Sequence, residues 1–284
     1  MRKAKLHKYE VNQYLISALK EDIPVEDIST KAIYREDRDA AVSVIMKEDG
    51  ILCGIDIFHY CFELLDENIR IDKKYEDGDF VKKGSEVAIV YGNISTLLSG
   101  ERVALNYLQR MSGIATYTHQ TIAKLNDPNI KVLDTRKTTP NMRIFEKYAV
   151  KIGGGENHRF NLSDLIMLKD NHIAASGGIK NAIHYARDYK PFVKKIEIEV
   201  ESLDQVKEAI DEGADIIMLD NMDIDTIKKA CQIIGNKAII EISGNITKEN
   251  IDRYRGLDVD FLSSGAITYM ANPLDISMKN LRYV

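Results

Sequence analysis

From residue 195 to residue 263 the chain repeats one unit: a short, mostly apolar strand, a polar residue at its end, and an amphipathic helix. The strands read as Lys195–Val200, Asp215–Leu219, Ala238–Ile242 and Val259–Leu262. The helices between them read as Leu203–Glu212, Ile224–Ile234 and Lys248–Tyr254, with Gly213, Gly235 and Gly256 as stops. Glu199, Asp220, Glu241 and Ser263 mark the strand ends, at intervals of 21, 21 and 22 residues. A βα unit repeated at that period makes successive strands parallel, because the helix returns the chain to the same end of the sheet. Strands apolar along their length are buried on both faces. A β/α barrel accounts for this best. A doubly wound open sheet is the alternative, since a repeat by itself does not establish closure.

Two further strands precede the repeat: Lys131–Leu133, ending at Asp134, and Leu165–Leu168, ending at Lys169. Up to about residue 112 the rhythm is different. Asn12–Lys20 reads as a helix, Ala40–Lys47 as a strand, Asp49-Gly50 as a turn and Gly54–Asp66 as a helix. Glu76–Gly84 and Glu86–Tyr91 read as two strands joined at a glycine turn. Ser99–Met111 reads as a helix with Ser99 as its N-cap.

Composition excludes several classes. No apolar run approaches the roughly 20 residues of a membrane-spanning helix, so no membrane association is expected. The basic N-terminus, Met1–Lys8, leads into no apolar stretch, so no secretory signal is expected. Cys53, Cys61 and Cys231 lack C-x-x-C spacing and read as reduced thiols of a cytoplasmic protein. The net charge of −5 shows no basic stripe for nucleic acid.

Working groups of a β/α barrel sit where strands end and βα loops begin. Three clusters lie there. The first is basic: Asp134-Thr135-Arg136-Lys137, then Gly153-Gly154-Gly155-Glu156-Asn157-His158-Arg159, then Lys169. Residues 131–169 hold eight Lys/Arg against four Asp/Glu in a chain that is acidic as a whole. Guanidinium forks and ammonium groups at strand ends suit a small polyanion. Lys131, Lys147 and Lys151 read instead as a solvated charged face. The second cluster is acidic. Glu199 and Asp220 terminate otherwise apolar strands, where an unpaired carboxylate is costly. They suit Mg²⁺, ribose hydroxyls, or an internal salt bridge to the basic cluster. The third is small and neutral: Ser243-Gly244-Asn245 and Ser264-Gly265-Ala266, where a phosphate can approach backbone N–H groups. No Ser or Cys backed by a base stands out as a nucleophile. His7, His59, His119 and His184 read as structural.

The sequence resembles quinolinate phosphoribosyltransferase along almost its whole length. The resemblance is carried by Ala18-Leu-Lys-Glu-Asp-Ile, Ser99-Gly-Glu-Arg-Val-Ala-Leu-Asn, Leu133-Asp-Thr-Arg-Lys-Thr-Thr-Pro, Glu146-Lys-Tyr-Ala-Val, Gly-Gly-Gly-Glu-Asn-His-Arg159 and Lys169-Asp-Asn-His. It implies an α/β fold: an N-terminal α/β sandwich over 1–112 and an open, seven-stranded, TIM-like β/α barrel over 113–269, with 270–284 packing back on the sandwich. It implies a homodimer, or a hexamer, with Arg102 donated across the interface. Thr135, Arg136, Lys137, His158, Arg159 and Lys169 would bind quinolinate or nearby phosphates. Glu199 and Asp220 would hold the ribose and, partly through water, the Mg²⁺ of phosphoribosyl pyrophosphate. Ser243, Gly244, Asn245, Ser264, Gly265 and Ala266 would cradle its 5′-phosphate. Lys137, Lys169, Glu199 and Asp220 would carry the catalysis. Two positions depart from the family pattern: Asn245 stands where glycine is usual, and Ser264 where valine is common. Asn adopts left-handed backbone angles more readily than other non-glycine residues.

The implied reaction is attack of the quinolinate nitrogen on C1 of the phosphoribosyl group, loss of pyrophosphate, then loss of the 2-carboxylate as CO₂. That is a pentosyltransferase step of NAD biosynthesis. The competing readings are a paralogue of the type encoded with molybdate transporters, acting on another acceptor, and a non-catalytic sensor. Retention of Glu199 and Asp220 counts against a sensor.

Overall fold

The computed structural model describes residues 5–34, 38–189, 192 and 195–284. The first four residues of the basic N-terminal stretch therefore lie outside it. Helices α1 (Lys8–Asp22) and α2 (Ile28–Ile33) lead into β1 (Asp39–Met46), β2 (Gly50–Ile51), α3 (Ile55–Glu63), β3 (Arg70–Lys73), β4 (Phe80–Val81) and β5 (Glu86–Asn93). The long helix α4 (Ile94–Leu125) follows, then β6 (Lys131–Leu133), α5 (Arg143–Ile152), β7 (Ile166–Leu168), α6 (Asp170–Ser176) and α7 (Ile179–Tyr189). The repeat is β8 (Ile196–Val200), α8 (Leu203–Asp211), β9 (Ile216–Asp220), α9 (Ile224–Ile234), β10 (Ile239–Ser243) and β11 (Phe261–Ser263), closed by α10 (Ala266–Tyr269) and β12 (Ile276–Tyr283).

The chain forms two compact units, residues 1–119, 139–154 and 270–284 in one, 120–138 and 155–269 in the other. In the first, an antiparallel sheet runs β12-β1-β5-β3. The C-terminal strand β12 pairs with β1 from Met46↔Ile276 to Ala40↔Tyr283. Phe58 and Phe62 of α3 meet edge-on at 5.1 Å and are fully buried. A buried ion pair links Arg110 Nη2 to Glu146 Oε1 at 2.8 Å. The cysteines are all buried and unbridged, and burial pushes the Cys61 thiol up to about 12.

The second unit carries the parallel sheet, in the order β6-β11-β10-β9-β8-β7. Strands β7 to β11 follow one another in sequence order, and the first strand, β6, pairs with the last. A doubly wound sheet reverses direction part-way. This one goes round once, which is barrel topology. Among the described residues β6 and β7 do not pair, so the barrel is open there. Glu156 makes one parallel bridge to Leu133, leaving the seventh position a single residue rather than a strand.

Several local readings change. The helix assigned from Ser99 begins at Ile94, so Ser99 is interior and caps nothing. Asn93 Oδ1 accepts from Ser95 N–H at 2.9 Å in the first turn, and the Ser99 hydroxyl donates to Asp27. The helix expected over 248–254 is a single 3₁₀ turn, Ile251–Tyr254. Lys131 is exposed, but Lys147 is only 2% exposed, on the inner face of α5 beside Phe145 and Glu146.

Candidate active site

The C-terminal strand ends of the barrel enclose a cavity of about 460 Å³, within the usual size range of small-molecule sites. Thr135, Arg136, Lys137, His158, Arg159, Lys169, Glu199, Asp220, Ser243, Gly244, Asn245, Ser264 and Gly265 all line it. Ala266 starts α10 and is fully buried outside the lining. Arg102 lies on α4 in the first unit and is exposed.

The basic wall is built from two loops. Residues 155–159 are stitched to the end of β6: Glu156 N–H donates to Val132 O at 2.8 Å, and Asp134 N–H to Glu156 O at 3.1 Å. The fully buried Asp134 carboxylate accepts from His158 N–H at 2.9 Å and from Asn157 Nδ2 at 2.6 Å. Arg159 Nη1 donates to Leu165 O at 3.2 Å. Burial, and then the nearby Arg136 guanidinium, pull Arg159 down from its ordinary value, the signature of cations gathered in one place. Thr135 Oγ1 accepts from Lys137 N–H at 3.0 Å, and Thr268 Oγ1 donates to Lys137 O at 2.9 Å, so the turn carrying Lys137 is held from two sides.

The acidic wall comes from β8 and β9. Lys169 Nζ is ion-paired with Glu199, the internal salt bridge that was one of the readings of this carboxylate. Asp220 Oδ2 accepts from Asn221 Nδ2 at 2.6 Å. Glu199 and Asp220 on adjacent strands offer the one or two carboxylates that Mg²⁺ takes alongside water and phosphate, so the residues present fit that ion.

The neutral wall is a chain of amides and tight turns. Gly244 has φ +108°, and a Cβ there would lie 2.3 Å from Asn221 Oδ1. Only glycine fits. Asn245 adopts φ 51°, the left-handed conformation that Asn tolerates. Its Nδ2 donates to Asn221 Oδ1 at 3.2 Å, so the residue standing in place of glycine is tied through Asn221 to Asp220. The Ser264 hydroxyl donates to Ile246 O at 2.5 Å and joins the two late loops.

Two site residues were given no role by the sequence reading: Glu197 escaped it, and Glu241 was noted only as a strand end. Glu197 and Glu241 are 0% and 2% exposed, and both contact the His158 ring. Nε2 lies 3.0 Å from Glu197 Oε2 and 3.5 Å from Glu241 Oε2. Burial works against a charged ring, but the two carboxylates outweigh it and push His158 up to about 9. Arg159 N–H opposes a second ring proton, because it points at Nδ1 from 2.7 Å. The proton on Nε2 is common to both ring states. The signal for Glu197 was period-two alternation: in Ile196-Glu197-Ile198-Glu199-Val200 the two glutamates share a face. Glu241 and Ser243 share a face on β10 in the same way.

A barrel whose strand-end pocket sets a cluster of cations against two carboxylates and a glycine-bearing loop defines a β/α-barrel enzyme for polyanionic substrates. Comparison with known proteins narrows this. Residues 27–112 match the quinolinate phosphoribosyl transferase N-terminal domain, and residues 114–279 the C-terminal domain. The chain belongs to the quinolinate phosphoribosyltransferase family. It is 44% identical to a probable nicotinate-nucleotide pyrophosphorylase (carboxylating) of Bacillus subtilis (strain 168), over 91% of this chain and 89% of that one. It is 38% identical to the chloroplastic nicotinate-nucleotide pyrophosphorylase (carboxylating) of Arabidopsis thaliana, over 95% and 83%. The crystal structure of NadC from Streptococcus pyogenes matches with a TM-score of 0.96 at 49% identity, over 99% of each chain. Among the described residues no helix is long and apolar enough to cross a membrane.

Proposed function

We propose that this chain transfers the phosphoribosyl group of phosphoribosyl pyrophosphate to the ring nitrogen of quinolinate, with loss of CO₂, giving nicotinate mononucleotide and pyrophosphate. The observation that carries this is the division of one cavity into a cationic wall and a carboxylate-and-glycine wall. The relatives named as carboxylating enzymes favour quinolinate over another acceptor.

The acceptor is a dianion, and Arg136, Lys137, Arg159 and Lys169 supply its countercharge. Glu199 and Asp220 receive the ribose hydroxyls and would hold Mg²⁺, which would neutralise the pyrophosphate charge when bound. Lys169 is paired with Glu199 in the structure, so substrate binding exchanges that contact for contacts to the acceptor and the ribose. The turns at Gly244 and Gly265 take the 5′-phosphate. As the C1–pyrophosphate bond breaks, the sugar passes through an oxocarbenium-like state, which Glu199 and Asp220 stabilise as nearby anions. After the N–C1 bond forms, the C2–CO₂ bond breaks. Its electron pair stays on C2 beside the cationic ring nitrogen and takes up a proton. Pre-placed charges do most of this work, since bringing two polyanions together is the main difficulty. In a homodimer, Arg102 of one subunit completes the acceptor site of the other. The enzyme works in the cytoplasm.

The test is CO₂ release and mononucleotide formation from quinolinate, phosphoribosyl pyrophosphate and Mg²⁺, with nicotinate as a parallel acceptor. Product from quinolinate alone is expected, and Glu199→Gln or Asp220→Asn is expected to abolish it. Product from neither acceptor in a folded protein refutes the reading.

A further inference from the structure

Glu197 and Glu241 present a physical problem. They are buried carboxylates at the floor of a pocket that gathers cations for an anion, Glu241 in its lining and Glu197 behind it, and none of the substrate contacts proposed above uses them. Burial of an uncompensated carboxylate is costly. Glu197 comes from β8 and Glu241 from β10, alternate strands whose inward residues share a layer of a barrel. Their common partner is His158 Nε2, which also lies 3.3 Å from Glu197 Oε1. On the other side of the ring, Nδ1 faces the Arg159 N–H at 2.7 Å. In the neutral ring, accepting that N–H leaves Nδ1 bare and puts the proton on Nε2; in the charged ring Nε2 is protonated as well, so a proton lies between the histidine and the carboxylates in either state.

We propose that Glu197 and Glu241 are positioning residues for the acceptor: they hold a proton on His158 Nε2, and the anchored ring fixes the direction of Arg159. This rests on the reading of the pocket as an acceptor site. Three attachments then hold the pair. The Asp134 carboxylate takes the His158 backbone N–H, the glutamates take the ring, and Leu165 O takes one guanidinium nitrogen. His158 works as a strut in the pocket wall, and Arg159 presents its remaining donors to the substrate. A metal ion is the rival occupant, because one donor atom from each of His158, Glu197 and Glu241 falls within 4.8 Å of the others. The Nδ1 contact opposes it. A metal-bound histidine ordinarily donates its second ring N–H to an acceptor, and here that nitrogen faces a donor.

Glu197→Gln and Glu241→Gln, made singly in the full chain, keep the shape and remove the charge. Nitrogen-15 spectra of histidine-labelled protein, with His158→Gln identifying the signals, read each ring nitrogen. A protonated Nε2 is expected in the wild type, with the proton redistributed between the two nitrogens in the variants. KM for quinolinate is expected to rise about tenfold in either variant, with KM for phosphoribosyl pyrophosphate unchanged. If Glu197→Gln does not fold, Glu241→Gln, the more distant carboxylate, carries the test. A bare Nε2 in the wild type, one equivalent of tightly bound metal in the purified protein, or a wild-type KM for quinolinate in a folded variant overturns the proposal. Absence of quinolinate turnover in the wild type would sink the acceptor reading, while the ring spectrum would still decide whether the anchor exists.

Discussion

Replacing Gly244 with alanine is expected to damage phosphoribosyl pyrophosphate binding far more than folding. The new Cβ would lie 2.3 Å from Asn221 Oδ1 and 2.8 Å from Asn221 backbone N, and the backbone would have to keep φ +108°. Holding a non-glycine residue there costs on the order of 1–3 kcal/mol. Swinging the Asn221 amide away breaks its bonds to Asp220 (2.6 Å) and Asn245 (3.2 Å), each worth about 1 kcal/mol net. The total is about 3–5 kcal/mol if the loop stays in place. Asn221 and Asn245 are exposed, so the loop can move instead, and most of the cost then falls on the site. At least about 2 kcal/mol lost from transition-state binding is roughly a 30-fold fall in kcat/KM. The assay is steady-state kinetics with phosphoribosyl pyrophosphate varied, alongside a thermal melt. Gly213→Ala is the control. It also has positive φ (+74°), but at the end of α8, and its Cβ meets nothing within 4 Å, so it should cost about 1 kcal/mol of stability and leave KM alone. A Gly244→Ala enzyme with wild-type KM for phosphoribosyl pyrophosphate would refute the argument that this turn must be glycine.

Two further predictions concern the first unit. Glu146→Gln removes the charge from a carboxylate that is fully buried against Arg110, at 2.8 and 3.0 Å, and that also accepts from Thr139 N–H at 3.1 Å. Breaking such a pair from one side should cost about 3 kcal/mol, read as a lower urea midpoint with an unchanged slope; an unchanged midpoint would show the pair to be dispensable. Asp77 accepts from Gly54 N–H, Ile55 N–H and the Tyr148 hydroxyl, yet burial holds its carboxyl above the usual range. The folded state therefore binds this proton more tightly than the unfolded state, and its contribution to stability is lost as pH rises from the ordinary carboxylate value through the raised one. Asp77→Asn should lack that decline, gaining on the wild type across this window and holding a constant offset above it. Parallel urea stability curves against pH would contradict this.

Much of the fold was legible because its signals are local. Apolar runs, glycine stops and a constant interval expose the βα repeat without any knowledge of contacts, and β6 and α9 fall where the pattern puts them. The α5 helix was harder. Phe145, Ala149 and Val150 mark its buried face, but Lys147 and Lys151 read as a solvated charged face, and burial of Lys147 runs against the ordinary behaviour of lysine. The strand-end positions of Arg136, Lys169, Glu199 and Asp220 were readable from chain order, because a barrel puts every strand's C-terminal end on one face.

Closure was a tertiary decision. Nothing local to Lys131–Leu133 requires it to pair with Phe261–Ser263, some 130 residues later. The floor of the site was another. Alternation in β8 says that Glu197 and Glu199 share a face, but a period of two does not name the neighbour. His158 reaches Glu197 across 39 residues of sequence and Glu241 from a third segment. The partner of a buried charge is set by which strands come to lie in one layer, and layers are made by strand pairing and shear, which residue order along a single strand does not contain.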